Sequence, residues 1–334
     1  MYRWVSMVLI CATCTSVYAG SPDWHWTNPK PQGNTLNGLW MATSDEGWAV
    51  GEFVIMHWDG SAWSVHAVDM SWYLSNIYGF AENDIWASGS HGLLLHWNGA
   101  SWQTVMLETT GYQLGAIWGF RSDDVWMQTS TKGILYHFDG SEWALFDTGL
   151  DHHFIGFWGA AADDVWAIGD AGVLLHWDGN TWTQEYLSHS FLSDIFGTSA
   201  NDVRAIGTIV VGDLIIGMVF RWDGTEWTIE EDYLDPTIDC IWGAESDDVW
   251  IAGGGTVMYH WDGSAWNHDA PDTHGAIFDM AGLSGADIWG CGAAGTLIHW
   301  DGTRWHQVLE TPGMCSAVDD LFALLFESDY MKSI

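Results

Sequence analysis

Six histidines recur at one position of a repeated pattern: His57, His96, His137, His176, His260 and His299. Carboxylates recur with them, at Asp123-Asp124, Asp163-Asp164 and Asp247-Asp248, joined by Asn83-Asp84 and Asn201-Asp202. Imidazoles suggest a transition metal and carboxylates suggest calcium, but a metal needs its donors gathered at roughly 2.0–2.6 Å from one ion. Equivalent positions on successive repeats are held apart by any stacked or radial fold. The histidines are therefore read as structural, each bonding a backbone or neighbouring-repeat group. The acids are read as turn residues whose side chains satisfy backbone N–H groups. No twelve-residue calcium loop is present and no motif requires a cofactor; with the histidines read as structural, calcium at the acid turns is the one cation kept open.

Binding chemistry is better sought where the copies differ. The irregular positions hold Trp72, Tyr73, His91, Tyr112, His152, His153, Asp170, Tyr186, Tyr233, Asp235 and His274. Aromatic rings beside carboxylates and imidazoles suit a glycan, a peptide or a protein surface. The leading expectation is a non-catalytic binding or scaffold protein that uses these residues. A second is a polysaccharide-acting glycosidase or lyase using paired acids such as Asp151 with Glu185 or Asp235, which requires two carboxyls at a defined separation. A structural cell-surface protein is the third. The chain has no Gly-x-Ser-x-Gly, His-Glu-x-x-His or phosphate-loop motif, so the residues lean away from an enzyme.

The elements that must position these residues are written in the repeat itself. Closing tryptophans stand at Trp63, Trp102, Trp143, Trp182, Trp227, Trp266 and Trp305, spaced 39 to 45 residues apart. One copy reads Phe157-Trp158-Gly159, a turn at Asp163-Asp164, Val165 to Gly169, a turn at Asp170-Ala171-Gly172, Val173 to Trp177, then Asp178-Gly179 and Trp182. Short β-branched and aromatic runs between Gly/Asp turns predict four antiparallel strands per copy. Four strands in about 40 residues is the size of a β-propeller blade. The sequence thus predicts an all-β propeller of seven four-stranded blades, with repeats at 37–63, 77–102, 117–143, 157–182, 195–227, 241–266 and 280–305. Eight blades is the alternative, the extra one built from both termini: Trp24-His25-Trp26 reads as a lone fourth strand and Leu321 to Leu324 as a lone first strand.

Of the 27 tryptophans, all but Trp4, Trp24, Trp26 and Trp72 fall on repeat positions, so most are expected in the core. In each blade the first and third turns share one regular rim. The second turn and the interblade link share the other rim, where the candidate residues fall. The fifth copy inserts six residues around Thr208 to Gly217.

Residues 1–19 read as a signal peptide, with Arg3, an apolar Val5 to Ala12 and a small-residue site at Val17-Tyr18-Ala19. Residues 20–334 then form one domain, secreted, periplasmic or at the cell surface. The whole chain carries a formal net charge of −36. Such a field repels nucleic acid and anionic membranes and leaves glycans or proteins as partners; no segment calls for membrane insertion. Cys240, Cys291 and Cys315 allow at most one disulfide, and its pair is not deducible.

The run Asp164-Val165-Trp166-Ala167-Ile168-Gly169 with Gly172 and His176-Trp177-Asp178-Gly179 resembles secreted bacterial β-propeller proteins with "DVWAVG…HWDGxxW" repeats, described as BNR or Asp-box-like. The resemblance covers residues 37 to 305. It implies the propeller fold and no particular activity, since the group is mostly uncharacterised. An Asp-box places its aromatic residue five positions after the Asp, whereas Asp59 and Trp63 are four apart. The three-arginine carboxylate clamp of sialidases has no counterpart either, with only Arg121, Arg204, Arg221 and Arg304 beyond the first residues.

Overall fold

The computed structural model describes residues 33–107, 111–187, 190–255, 257–269, 271 and 275–308, without the side chains at 68 and 70–72. Every long element among the described residues is a strand. The first sheet takes β1 (Leu36–Thr43), β2 (Glu46–Trp58), β3 (Trp63–Ala81), β4 (Asp84–Gly89), β5 (Leu94–Trp97) and β6 (Trp102–Thr104). The second holds β7 (Leu114–Arg121), β8 (Asp124–Thr129), β9 (Ile134–Phe138) and β10 (Trp143–Asp147). The third holds β11 (Phe154–Ala161), β12 (Asp164–Gly169), β13 (Val173–Trp177) and β14 (Trp182–Tyr186). Then come β15 (Ser190–Ser199), β16 (Asp202–Val211), β17 (Leu214–Trp222) and β18 (Trp227–Leu234). The last two sheets are β19 (Ile238–Glu245), β20 (Asp248–Gly253), β21 (Met258–Trp261), β22 (Trp266–Asp269), and β23 (Ile277–Ser284), β24 (Asp287–Gly292), β25 (Leu297–Trp300), β26 (Trp305–Gln307).

All pairings are antiparallel between sequence neighbours, as a β-propeller requires. The blade count is a correction. Among the described residues five four-stranded blades stand as separate sheets, not seven or eight, and the first two copies share one six-stranded sheet. The cause lies in the links. β3 runs unbroken through residues 64–73; its first part pairs with β2 and its second with β4. β2 likewise doubles back within one element at Phe53 (φ 63), in a turn one residue shorter than Asp170–Gly172. The terminal segments proposed to build an extra blade lie outside the described residues. Among the described residues the ring closes by β1 packing on β23.

The core lies between sheets rather than within them. Trp126 and Leu135 of one copy pack with Val165, Ala167, Val173 and Leu175 of the next. At closure, Leu36, Leu39, Ala49 and Met56 pack with Trp289, Cys291 and Leu297. This explains why third strands such as Val173-Leu174-Leu175 are apolar on both faces, since each face meets a neighbouring sheet. Innermost strands pack closely because an aromatic ring lies over a glycine of the next copy. A Cβ on Gly159 would meet the Trp118 ring at 2.6 Å.

Candidate functional site

The recurrent histidines have a single structural use. Each donates Nε2–H to an acid at the start of the second strand of its own copy: His57 to Glu46, His96 to Asp84, His137 to Asp124, His176 to Asp164, His260 to Asp248 and His299 to Asp287, at 2.6–2.9 Å. Each ring also packs on the tryptophan two residues after that acid, with centroids 4.0–4.4 Å apart. The expected partners, backbone or a neighbouring repeat, are thus corrected to the copy's own carboxylate. The second acids of the paired turns are corrected with them, because Asp124, Asp164 and Asp248 receive imidazoles rather than backbone N–H groups.

The Asp-Gly turns behave as the sequence indicates. Asp59 Oδ1 accepts from the backbone N–H of Ser61 and Ala62, both at 2.9 Å, while Gly60 holds φ 83. The Ser61 hydroxyl and those two N–H groups hold the Asp59 carboxyl down to about 2, and the same arrangement does so for Asp139. The repetitive rim is therefore occupied with its own architecture.

The variable rim gathers four candidate residues. Asp170, at the second turn of the third sheet, accepts from His152 Nδ1 at 2.9 Å and from the His153 backbone N–H at 3.2 Å. On the other side of the ring, His152 Nε2 lies 3.3 Å from both the Gln184 amide nitrogen and the Tyr186 hydroxyl. Tyr186 is 59% exposed, so its ring remains open to a ligand. Beside this cluster His153 and Asp170 line a groove of about 560 Å³ with Ser75, Gln113, Gln128 and Ser130. Its groups are mostly neutral donors and acceptors, with Asp170 the one carboxylate among the described residues that line it.

The other candidates stay apart from it. Tyr73 stands opposite Glu52 and is partly exposed, His91 holds φ 60 in an exposed turn, and Tyr112 packs edge-on to Tyr136 with centroids 6.4 Å apart. Tyr233 is 75% exposed on the fourth sheet, and Asp235 uses Oδ1 to accept from the Thr237 backbone N–H at 2.9 Å. The Trp72 side chain and His274 lie outside the described residues. Of the suggested acid pairs, Asp151 is a solvent-exposed partner of Lys132 Nζ, 3.5 Å away. Gln113, Gln128, Ser130 and Gln184 were not anticipated, because neutral side chains on or next to strands read as ordinary strand surface.

The central channel is a second concavity, of about 570 Å³. Asp194 and Asp279 line it at equivalent places just after a strand bulge, and each bridges to the next inner strand. Asp194 Oδ2 accepts from the Ile241 N–H at 2.9 Å, and Asp279 Oδ2 from the Leu39 N–H at 2.8 Å. Burial outweighs these bonds and raises their carboxyls to about 7 and about 8. Cys240 and Cys291 are free and buried, and burial pushes both thiols up.

No family model and no curated protein matches the chain. Solved structures do. YCF48 from Cyanidioschyzon merolae is 18% identical with a TM-score of 0.66, over 81% of this chain and 97% of that one. YCF48 bound to D1 peptide is 17% identical with a TM-score of 0.65, over 84% and 99%. A catalytically inactive virginiamycin B lyase from Staphylococcus aureus with quinupristin is 9% identical with a TM-score of 0.70, over 81% and 96%. The shared property is the fold. At these identities the likeness says nothing of activity, and function rests on the side chains of this chain.

Proposed function

We propose that this chain is an exported recognition propeller that binds a peptide or protein segment on its variable rim, at the groove beside Asp170. The observation that carries the reading is the His152–Asp170–Tyr186 cluster. The acid–His pairs that join second and third strands recur from copy to copy and stack on core tryptophan. The one further pair among the described residues, His306 with Asp301, lies at an Asp-Gly turn of the repetitive rim. The His152–Asp170 pair occurs in a single copy, has no tryptophan beneath it and leaves Tyr186 exposed. A histidine locked by a carboxylate, an open tyrosine ring and flanking Gln and Ser amides and hydroxyls form a preorganised polar surface suited to peptide backbone groups. The peptide held by the similarly folded YCF48 supports this choice of ligand class over a glycan.

The test is a screen of the purified chain against peptide and glycan arrays, followed by titration of each hit with tryptophan fluorescence. Tyr186→Ala and Asp170→Ala should each weaken a peptide hit about tenfold or more, the order expected for loss of an interface contact. Peptide hits indifferent to both substitutions would overturn the groove. Turnover of a glycan or peptide hit would instead establish catalysis, for which His152, held between a carboxylate and a hydroxyl, is the group able to move a proton.

A further inference from the structure

The fourth sheet carries its departure from the others on its surface. β16 and β17 extend beyond the level at which the equivalent strands turn elsewhere, and join through Gly212 (φ 63) and Asp213. In this extension Val210 stands opposite Ile215, and Val211 opposite Leu214. Alternation along a strand sends the two pairs to opposite faces of the ribbon. All four are 46–63% exposed, so the finger is apolar on both faces and covered on neither. One pair further down, Ile216 is already in the core.

A second observation lies beside the finger. Glu231 pairs with Val219 and Leu234 with Gly217, which leaves Asp232 and Tyr233 bulged out of register. Tyr233 adopts φ 65 there, in the left-handed region that bulky residues rarely enter, and this turns its ring out to 75% exposure. Strain of this kind is kept where the surroundings impose it, and it gathers at ligand contacts. On the neighbouring inner strand Phe191 is exposed as well.

The charges around this apolar surface have one sign. Asp213 sits at the tip, and Glu231, Asp232 and Asp235 flank it on and just after β18, while residues 208–217 and 228–238 hold no Lys or Arg. Arg221, lower on β17, is engaged by Asp202 at 2.7 Å. A second copy of this chain would bring acid against acid, and an anionic bilayer would be repelled by the same collar. We infer that the finger and Tyr233 form a docking surface for a protein segment that presents apolar side chains flanked by Lys or Arg. This goes beyond the groove at Asp170 and does not depend on it.

The probe is a fluorescein-labelled twelve-residue peptide of alternating Lys and Leu, read by anisotropy on the full chain at about 0.15 M salt. Control peptides replace Lys by Glu, or Leu by Ser. The Lys–Leu peptide should bind saturably and at least tenfold more tightly than either control. Leu214→Ser/Ile215→Ser and Asp213→Lys/Asp232→Lys should each weaken it at least tenfold, whereas Asp170→Ala should leave it unchanged. Near-ultraviolet dichroism of the tryptophan core checks folding, and should the serine variant unfold, the lysine variant decides alone. Equal binding of the Lys–Ser peptide would reduce the effect to general attraction by an acidic protein and overturn the inference. So would a wild-type dimer in sedimentation that the serine variant dissolves, or binding to phosphatidylcholine vesicles lost in that variant.

Discussion

Asp279 accepts a hydrogen bond from the backbone N–H of Leu39 at 2.8 Å, across 240 residues of chain. Its other oxygen accepts from the Met280 N–H at 2.9 Å, so one side chain fastens the last sheet to the first. Asp194 makes the same bridge between consecutive sheets, from Ile195 to Ile241. Replacing either by Ala orphans two N–H groups, each at about 1–3 kcal/mol. Urea unfolding of Asp279→Ala and Asp194→Ala should show both destabilised. The slope should fall only in Asp279→Ala, where release of closure lets the terminal sheets open separately.

The same two carboxyls set a pH dependence. Folded values of about 7 and about 8 lie above the 3.8 of an aspartate in an unfolded chain. Between those limits the folded chain holds protons that the unfolded chain has released. The stability they contribute is complete below about 3.8 and is lost as pH rises through 7 to 8. The turn acids act oppositely: Asp59 and Asp139, held at about 2, contribute above 3.8 and lose their contribution as pH falls through 2. Unfolding midpoints should therefore peak on the acid side of neutrality. Self-repulsion of a chain with net charge −36 gives a similar decline at high pH, but 1 M salt screens it and acts much less on carboxyls desolvated in the channel wall. A decline that persists in 1 M salt and vanishes in Asp194→Leu/Asp279→Leu confirms the two channel carboxyls as its source.

How much of this could be read from residues alone depended on whether the feature was periodic. Trp166, His176 and Asp178 announced strands and turns because each recurs with its neighbours at fixed offsets. The joining of the first two copies was hidden, since the link between Trp63 and Leu74 lacks Gly and Pro just as the link after Trp182 does, where the strands separate. The partner of each histidine was hidden as well, because Asp164 and His176 face each other only once the strand register is fixed: His176 pairs with Trp166, two residues beyond Asp164. At the site, His152, Asp170 and Tyr186 were legible as exceptions to the repeat. Gln184 was not, because nothing distinguishes a glutamine on an outer strand from a solvated one.

Backbone strain offers a test that separates architecture from binding. Ala171 and Ala294 hold φ 57 and 54 at equivalent turns, and Tyr233 holds φ 65. The left-handed conformation costs an L-residue about 1–2 kcal/mol, partly offset by the greater unfolded freedom of glycine. Ala171→Gly and Ala294→Gly should each stabilise the fold by up to about 1 kcal/mol in urea titrations. Gly172→Ala should do the reverse, since its Cβ would meet the Leu187 carbonyl oxygen at 2.2 Å. Tyr233→Gly should raise stability as the alanine changes do, yet weaken the Lys–Leu peptide. A gain in stability with unchanged peptide affinity would make the bulge purely structural.

The fourth sheet also breaks the tryptophan rule, and the break can be reversed only in pairs. Arg204 occupies the second-strand place where Trp166 and Trp250 stand in the flanking copies, and it is 2% exposed. Its Nε donates to Glu230 at 2.7 Å, its Nη1 reaches Asp202 at 3.2 Å, and its guanidinium lies 5.6 Å over the Trp261 ring. Glu230 in turn accepts from Trp266 Nε1 at 3.3 Å, so the ion pair fills the intersheet space that a tryptophan fills elsewhere. Arg204→Trp alone would restore the repeat but leave the Glu230 carboxylate buried with only the partly exposed Arg221, 3.5 Å away, as a cation. Breaking a buried pair in this way costs about 3–5 kcal/mol, whereas replacing both partners by apolar groups is often neutral or stabilising. Equilibrium unfolding should therefore show Arg204→Trp strongly destabilised and Arg204→Trp/Glu230→Val largely recovered. If the double variant were no better than the single one, the defect would lie in the shape of the intersheet space rather than in the stranded charge.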